Sequence, residues 1–271
     1  MKLLRKMTRD KRKVRKFQSL VAVLLAFVSV VSVTLLNAYP ESLSTEEADA
    51  LYGGRTEVAA YPSAGYITDY SSVFSRQACG IAYLSQSTGL SAAHCFTEGK
   101  GLYYTGKGVY KSDPPSNTPI SNYFIHSDWD ARTLTGDIAF VILETPMSPI
   151  DIYAEIATPE IGCGYEVLAY GSTDVRTLSN YDLRRKAPIC IETLIGDRFY
   201  FSSPEAGVCF GDSGSPIYVK DTNKLVGIVS AITVDENPYS KDNCFVNNRA
   251  VATRADSALR LLSMDERPKV T

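Results

Sequence analysis

Short apolar stretches separated by turn residues dominate the chain from Gly80 onward. Gly80–Leu84, Gly101–Tyr104, Ile138–Leu143, Tyr165–Ala169, Phe199–Phe201, Ile217–Val219 and Leu225–Val229 are rich in β-branched and aromatic side chains, with Gly, Pro, Asn and Asp between them. Such side chains fit a pleated, half-buried surface, so each run is read as a strand. Only Arg254–Leu262 has a helical look, with Ala255, Ala258, Leu259 and Leu262 at helical spacing. No repeat of fixed period stands out. Many short strands with turn signals and one short C-terminal helix predict an all-β chain, arranged as a sandwich or as barrels.

The first 50 residues follow another pattern. Nine Lys/Arg and one acid, Asp10, stand in the first sixteen positions, and an uncharged apolar run extends from about Leu20 to Leu36. A basic start, an apolar middle and a small residue soon after read as a secretory signal over residues 1–38, cut after Ala38. The run is short against the roughly 20 residues of a comfortable membrane span. Secretion is therefore expected, and a signal anchor holding the protein to the membrane by residues 20–36 is the alternative. Residues 39–50 are polar and acidic and read as a pro-segment or spacer. From Leu51 onward 19 basic residues face 25 acidic ones, which offers no electrostatic case for nucleic acid. About 220 residues remain, enough for one large domain or two small ones sharing an interface.

All six cysteines (Cys79, Cys95, Cys163, Cys190, Cys209, Cys244) lie in that remainder. An even count behind a secretory leader argues for disulfides in an oxidising compartment, with the pairing left open by number alone. No Cys-x-x-Cys spacing occurs and there are two histidines, so no zinc site is expected. Nor is there a motif for a nucleotide or other cofactor.

Three short segments carry chemistry. Gly211-Asp212-Ser213-Gly214-Ser215-Pro216 could be a plain surface turn, because its residues are the commonest turn formers. It also suits a nucleophile, since glycines let the chain turn sharply and aim successive N–H groups at one point. Leu90-Ser91-Ala92-Ala93-His94-Cys95 sets a histidine beside a cysteine, which alone would read as structural. Asp137 stands at the head of the apolar run Ile138–Leu143, where a buried acid is costly unless paired. An imidazole N–H is a suitable partner. A serine nucleophile, a histidine base and a carboxylate that orients the base complete one hydrolytic set.

These segments, in this order, resemble the His, Asp and Ser blocks of the chymotrypsin/trypsin-like serine endopeptidases: Ser91-Ala-Ala-His94-Cys95, Asp137-Ile-Ala-Phe-Val and Gly211-Asp-Ser213-Gly-Ser-Pro216. The likeness covers residues 51–262 and implies two antiparallel β-barrels, about 51–155 and 156–254, with the active site between them and a tail over 263–271. It implies Ser213 as nucleophile, His94 as base, Asp137 as the group orienting His94, and the N–H groups of Gly211 and Ser213 as oxyanion hole. Ser230 matches the serine that supports the aspartate. The likeness matches Cys79–Cys95 and Cys209–Cys244 to family bridges and leaves Cys163–Cys190 as the third pair. It also implies a zymogen, in which a new N-terminus at Leu51 pairs with Asp212.

Departures from the family pattern bear on specificity. Ala50 precedes Leu51 where a trypsin-like activator would need Lys or Arg, so the activating protease is of another kind, or the signal peptidase cuts there, or activation works differently. Gly207, six residues before Ser213, stands where trypsin-like pockets have an aspartate, and Val208 follows it. A Lys or Arg side chain would lack a counter-charge there. Ile232 and Ala250 align with the pocket wall beside Ser230, where glycines are frequent, and would narrow the entrance. The expected preference is for small or medium apolar residues on the acyl side of the scissile bond. Fourteen positions separate Ser230 from Cys244, a long span whose loop holds Asp235 and Glu236. Tyr170 and Ala231 hold two positions where tryptophan is familiar, and Ser215 replaces a frequent glycine. The expected partners are protein or peptide substrates, an activating protease and protein inhibitors, with the enzyme a monomer. A catalytically silent relative that serves as a secreted binding protein is the rival reading, although such proteins usually lose a triad residue.

Overall fold

The structure is a computed structural model that describes residues 51, 54–56, 61–69, 78–96, 102–107, 118–148, 150–171, 183–233 and 249–260. The leader, the acidic spacer, Cys244, the loop with Asp235 and Glu236, and the tail lie outside the described residues. Among the described residues no helix is long and apolar enough to cross a membrane.

Six strands close the first barrel: β2 (Ala64–Asp69), β3 (Ala78–Tyr83), β4 (Thr88–Ser91), β5 (Tyr103–Lys107), β6 (Thr118–Ile125) and β7 (Ala139–Leu143). They are hydrogen-bonded in the order β2-β3-β4-β7-β6-β5. The second barrel uses β9 (Gly162–Ala169), β10 (Arg185–Ile195), β11 (Arg198–Ser202), β12 (Pro216–Val219), β13 (Lys224–Ile232) and β14 (Ala250–Arg254). Its order is β10-β11-β14-β13-β12-β9, closed by pairing of β9 with β10. Every pairing within the two barrels is antiparallel. Closure leaves no barrel strand with an open edge. Two short strands are added to the second sheet: β1 (Arg55–Thr56) against β10, and β8 (Glu155–Ile156) parallel to β13. Although β1 precedes the first barrel in the chain, it pairs with the second.

Each barrel is filled from its inward-facing positions. Ile67, Ile81, Tyr83, Phe96, Val141 and Leu143 fill the first, and Val167, Ile189, Ile191, Phe199, Phe201 and Val229 fill the second. A third cluster, with Leu90, Ile138, Leu168, Tyr218, Leu225 and Ile228, packs strands of one barrel against strands of the other. Each such fully buried side chain contributes about 1.5–3 kcal/mol. This third cluster explains why β9 is buried continuously from Tyr165 to Ala169: Val167 faces its own barrel while Leu168 faces the neighbour.

The seven anticipated runs each hold strand residues, with shifted ends. Gly101–Tyr104 is displaced, since the strand runs Tyr103–Lys107. β2, β4, β6, β10 and β14 were not anticipated. Pro119 and Pro188 interrupt the apolar pattern of β6 and β10, although Arg185–Ile191 alternates buried and half-buried positions as a strand should. The expected helix from Arg254 starts one residue later, because Arg254 still belongs to β14. Its first turn, Ala255–Ala258, is 3-10, with Leu259 and Arg260 helical after it.

Candidate active site

His94 stands in a 3-10 turn, Ala93–Phe96, that follows β4. Its neighbour Cys95 is bridged to Cys79 on β3 across a sequence separation of 16, a closure worth about 3 kcal/mol in the chain-entropy account. The turn is thereby stapled to the barrel wall. Asp137 has no exposed surface and is reached through Gly136, whose φ of +66° puts the backbone in the left-handed region. A Cβ at Gly136 would lie 2.8 Å from the backbone of Asp128 and Trp129, so glycine is required on both counts.

Among the described residues, three donors meet the buried carboxylate of Asp137. The His94 backbone N–H reaches Oδ1 at 2.9 Å, His94 Nδ1 reaches Oδ2 at 2.8 Å, and the Ser230 hydroxyl donates to Oδ2 at 2.5 Å. A carboxylate only accepts, so Nδ1 carries the proton of that contact and the other ring nitrogen, Nε2, is left as the acceptor. Ser230 comes from the second barrel. It is the residue skipped in the β13–β14 register between Val229 and Ala231, and such a bulge re-aims a side chain that a regular strand would point elsewhere.

Ser213 lies on the loop between Phe210 and Pro216, half-buried. Gly211 and Gly214 take φ of +89° and +77°. The loop is pinned by backbone bonds: Ser213 O accepts from Gly80 N at 2.7 Å, Val229 O from Gly214 N at 2.8 Å, and Ser215 O from Val229 N at 2.9 Å. Gly80 is the neighbour of Cys79, and its carbonyl accepts from the Ser91 hydroxyl at 2.7 Å. A Cβ at Gly214 would sit 2.5 Å from both Gly80 O and Ser91 Oγ. The Ser213 loop and the His94 turn are thus both referenced to the Cys79–Gly80 segment. Ser215 is fully buried, and its hydroxyl finds no partner among the described residues.

Asp212 is also fully buried. Its carboxylate accepts from Gly171 N at 2.9 Å and from Cys209 N at 2.7 Å. Leu51 has no exposed surface and sits in the second core, where Leu51, Phe201, Ala206, Gly207 and Val208 line one recess. The expected new N-terminal residue therefore shares this recess with Gly207 and Val208, the two residues expected in the substrate pocket. Ile232 and Ala250 are direct partners across β13 and β14; Ile232 is partly exposed and Ala250 is enclosed.

Cys163 and Cys190 are bridged between directly opposed positions of β9 and β10, with Cα atoms 4.0 Å apart. Cys209 is disulfide-bonded as well. Cys79, His94 and Cys95 are close enough to suggest a metal cluster, but the two sulfurs are bonded to each other and offer no thiolate. Two aromatic residues at the site escaped sequence reasoning. The Trp129 ring lies 6.4 Å from the His94 ring, and Phe210 is half exposed beside Gly211. The only hints were that Trp129 is the one tryptophan and that Phe210 abuts the glycine-rich motif.

Two closed six-stranded antiparallel barrels, with a histidine and an aspartate supplied by one and a glycine-framed serine by the other, define the chymotrypsin-type two-barrel class. The trypsin family profile matches residues 57–259, and the chain belongs to the trypsin family. It is 28% identical to trypsin eta of Drosophila melanogaster over 57% of this chain and 66% of that protein. With trypsin epsilon of Drosophila erecta it shares 26% over 78% of this chain and 87% of that one. Transmembrane protease serine 11B of Homo sapiens is 27% identical over 57% of this chain and 43% of its own. The chain thus spans just under two thirds of the length of the first of these relatives.

Proposed function

We propose that the protein is a secreted serine endopeptidase, made as a zymogen, that cleaves peptide bonds through an acyl-enzyme. The observation that carries this reading is the buried Asp137 carboxylate, bonded to both the backbone and Nδ1 of His94 and braced by Ser230. With Nδ1 donating, Nε2 is the atom that accepts the Ser213 hydroxyl proton as Oγ attacks the scissile carbonyl carbon. The N–H groups of Gly211 and Ser213 receive the developing oxyanion, a contact worth about 2.7–4 kcal/mol per donor in such sites. Collapse of the tetrahedral intermediate breaks the C–N bond, and His94 returns the proton to the leaving amine. Water, activated by the same imidazole, then releases the acyl group from Ser213.

The substrate reading is a preference for small or medium apolar residues. Gly207 brings no charge to the pocket floor, and Ile232 opposite Ala250 places side chains on the wall. Release of the Leu51 amine would set it near Asp212, and burial of Leu51 beside Ala206 and Val208 supports a coupling between that docking and the pocket floor.

The test is labelling of the processed protein with a serine-directed fluorophosphonate, followed by cleavage profiling on a peptide library. An adduct on Ser213 and peptide-bond cleavage are expected. Absence of the adduct would favour a silent binding protein, and cleavage after Lys or Arg would sink the pocket argument.

A further inference from the structure

The loop that presents Asp137 is held from outside its own barrel. β10 and β11 form a hairpin whose tip, Gly196-Asp197, belongs to the second barrel, yet it reaches the segment 133–136 of the first. One carboxylate oxygen of Asp197 accepts from Gly136 N at 2.5 Å. The next residue, Arg198, donates through its guanidinium to the Thr133 carbonyl. The carbonyl of the same Gly136 accepts from Ile138 N at 2.7 Å, so Asp137 is the centre of a three-residue turn. Ile138 O in turn accepts from His126 N at 3.1 Å. Gly136 therefore carries two bonds, one that shapes the turn around Asp137 and one that ties the turn to Asp197.

The tip is itself moored. Asp197 O accepts from Arg254 N at 2.8 Å, and the Arg254 guanidinium is clamped by Asp256 at 2.7 and 3.0 Å. A carboxylate accepting from a backbone N–H is a charge-assisted bond, about twice as strong as a neutral one. Asp197 is partly buried, at 24% side-chain exposure, which limits competition from water.

We propose that Asp197 is a positioning residue for the reaction. By fixing the Gly136 peptide, it sets where the Asp137 carboxylate stands against His94, and so sets the aim of the imidazole. This rests on the reading of His94, Asp137 and Ser213 as the catalytic set. A displacement near 1 Å is costly when the reacting groups must be aligned.

The test compares Asp197→Ala with Asp197→Asn in the processed protein. The amide oxygen of Asn still accepts from Gly136 N, whereas Ala cannot. Rates are taken per active site, counted by fluorophosphonate on Ser213, so that any misfolded fraction drops out. For Asp197→Ala, kcat should fall about 10- to 100-fold with KM changed less than about threefold, and Asp197→Asn should stay within about threefold of the parent. The hydrogen-bonded Nδ1–H proton of His94, readily assigned with two histidines in the chain, should move upfield in Asp197→Ala and hold its place in Asp197→Asn. An unchanged kcat in Asp197→Ala, equal losses in both variants, or a loss carried by KM would overturn the proposal. Asp137→Asn separates the levels. If it collapses activity while Asp197→Ala does not, the latch alone is wrong; if it keeps the parental kcat, the catalytic set is wrong and the latch falls with it.

Discussion

Gly80, on β3 of the first barrel, packs directly against the Ser213 loop, and substitution by alanine tests that geometry. A Cβ at Gly80 would lie 2.6 Å from both the nitrogen and the hydroxyl oxygen of Ser215. Ordinary van der Waals contact needs about 3.5–4.0 Å, so the loop must retreat by roughly 1 Å. That retreat pulls on the 2.7 Å bond from Gly80 N to Ser213 O, the residue proposed to attack the substrate. Overpacking of this kind costs about 1–3 kcal/mol, which for a domain of this size lowers Tm by about 2–12 °C. The catalytic effect should be larger, since a 1 Å displacement of a reacting group costs about 100-fold in rate. Adding Ser215→Gly to Gly80→Ala should restore only part of the loss, because the backbone nitrogen of residue 215 still obstructs the new methyl. The assay is kcat/KM on a peptide substrate, corrected by active-site titration, beside a thermal melt. Gly80→Ala with kcat/KM within about twofold of the parent would refute the reasoning, because an undisturbed Ser213 should leave the rate unchanged.

Removing the Ser230 hydroxyl by Ser230→Ala should cost about 1.5–3 kcal/mol of stability, the worth of a hydrogen bond to a charged group, as measured by urea unfolding. A change under about 0.5 kcal/mol would mean that His94 alone satisfies Asp137. Ser215→Ala should be neutral or stabilising by up to about 1–3 kcal/mol, because it deletes a buried hydroxyl that has no partner among the described residues; a clear loss in the same unfolding assay would show that the hydroxyl is satisfied after all. Burial works against the Asp256 carboxylate, but hydrogen bonds from Arg254 and Thr158 outweigh it and hold its pKa below the ordinary aspartate value. A depressed folded pKa stabilises above the unfolded value, about 3.9, and this contribution fades as pH falls through the folded value. Arg254→Met should therefore shrink the difference in Tm between pH 6 and pH 3, and an unchanged difference would assign that acid sensitivity to other carboxylates.

The continuous apolar runs behind β9 and β13 were legible in the sequence because both of their faces are buried, one in a barrel and one between barrels. The small-residue approach to His94, the glycines around Ser213 and the acid before Ile138 were legible for a related reason. Each is a local demand, a sharp turn or a charge at the mouth of an apolar strand, and local demands are written in neighbouring residues. β6 and β10 were hidden by Pro119 and Pro188, whose cost to a ladder is visible in sequence while their compensating partners are not. Other features existed only once the chain had closed. Asp197 and Gly136 are 61 residues apart, and Ser230 and Asp137 are 93 apart. Gly80 reads as an ordinary strand residue until Ser215 is packed against it. Short-range preferences select turns and strands, whereas which carboxylate holds which peptide, and how near a nucleophile loop stands, follow from barrel closure and register. Those are set by the sum of many contacts and by no single stretch of sequence.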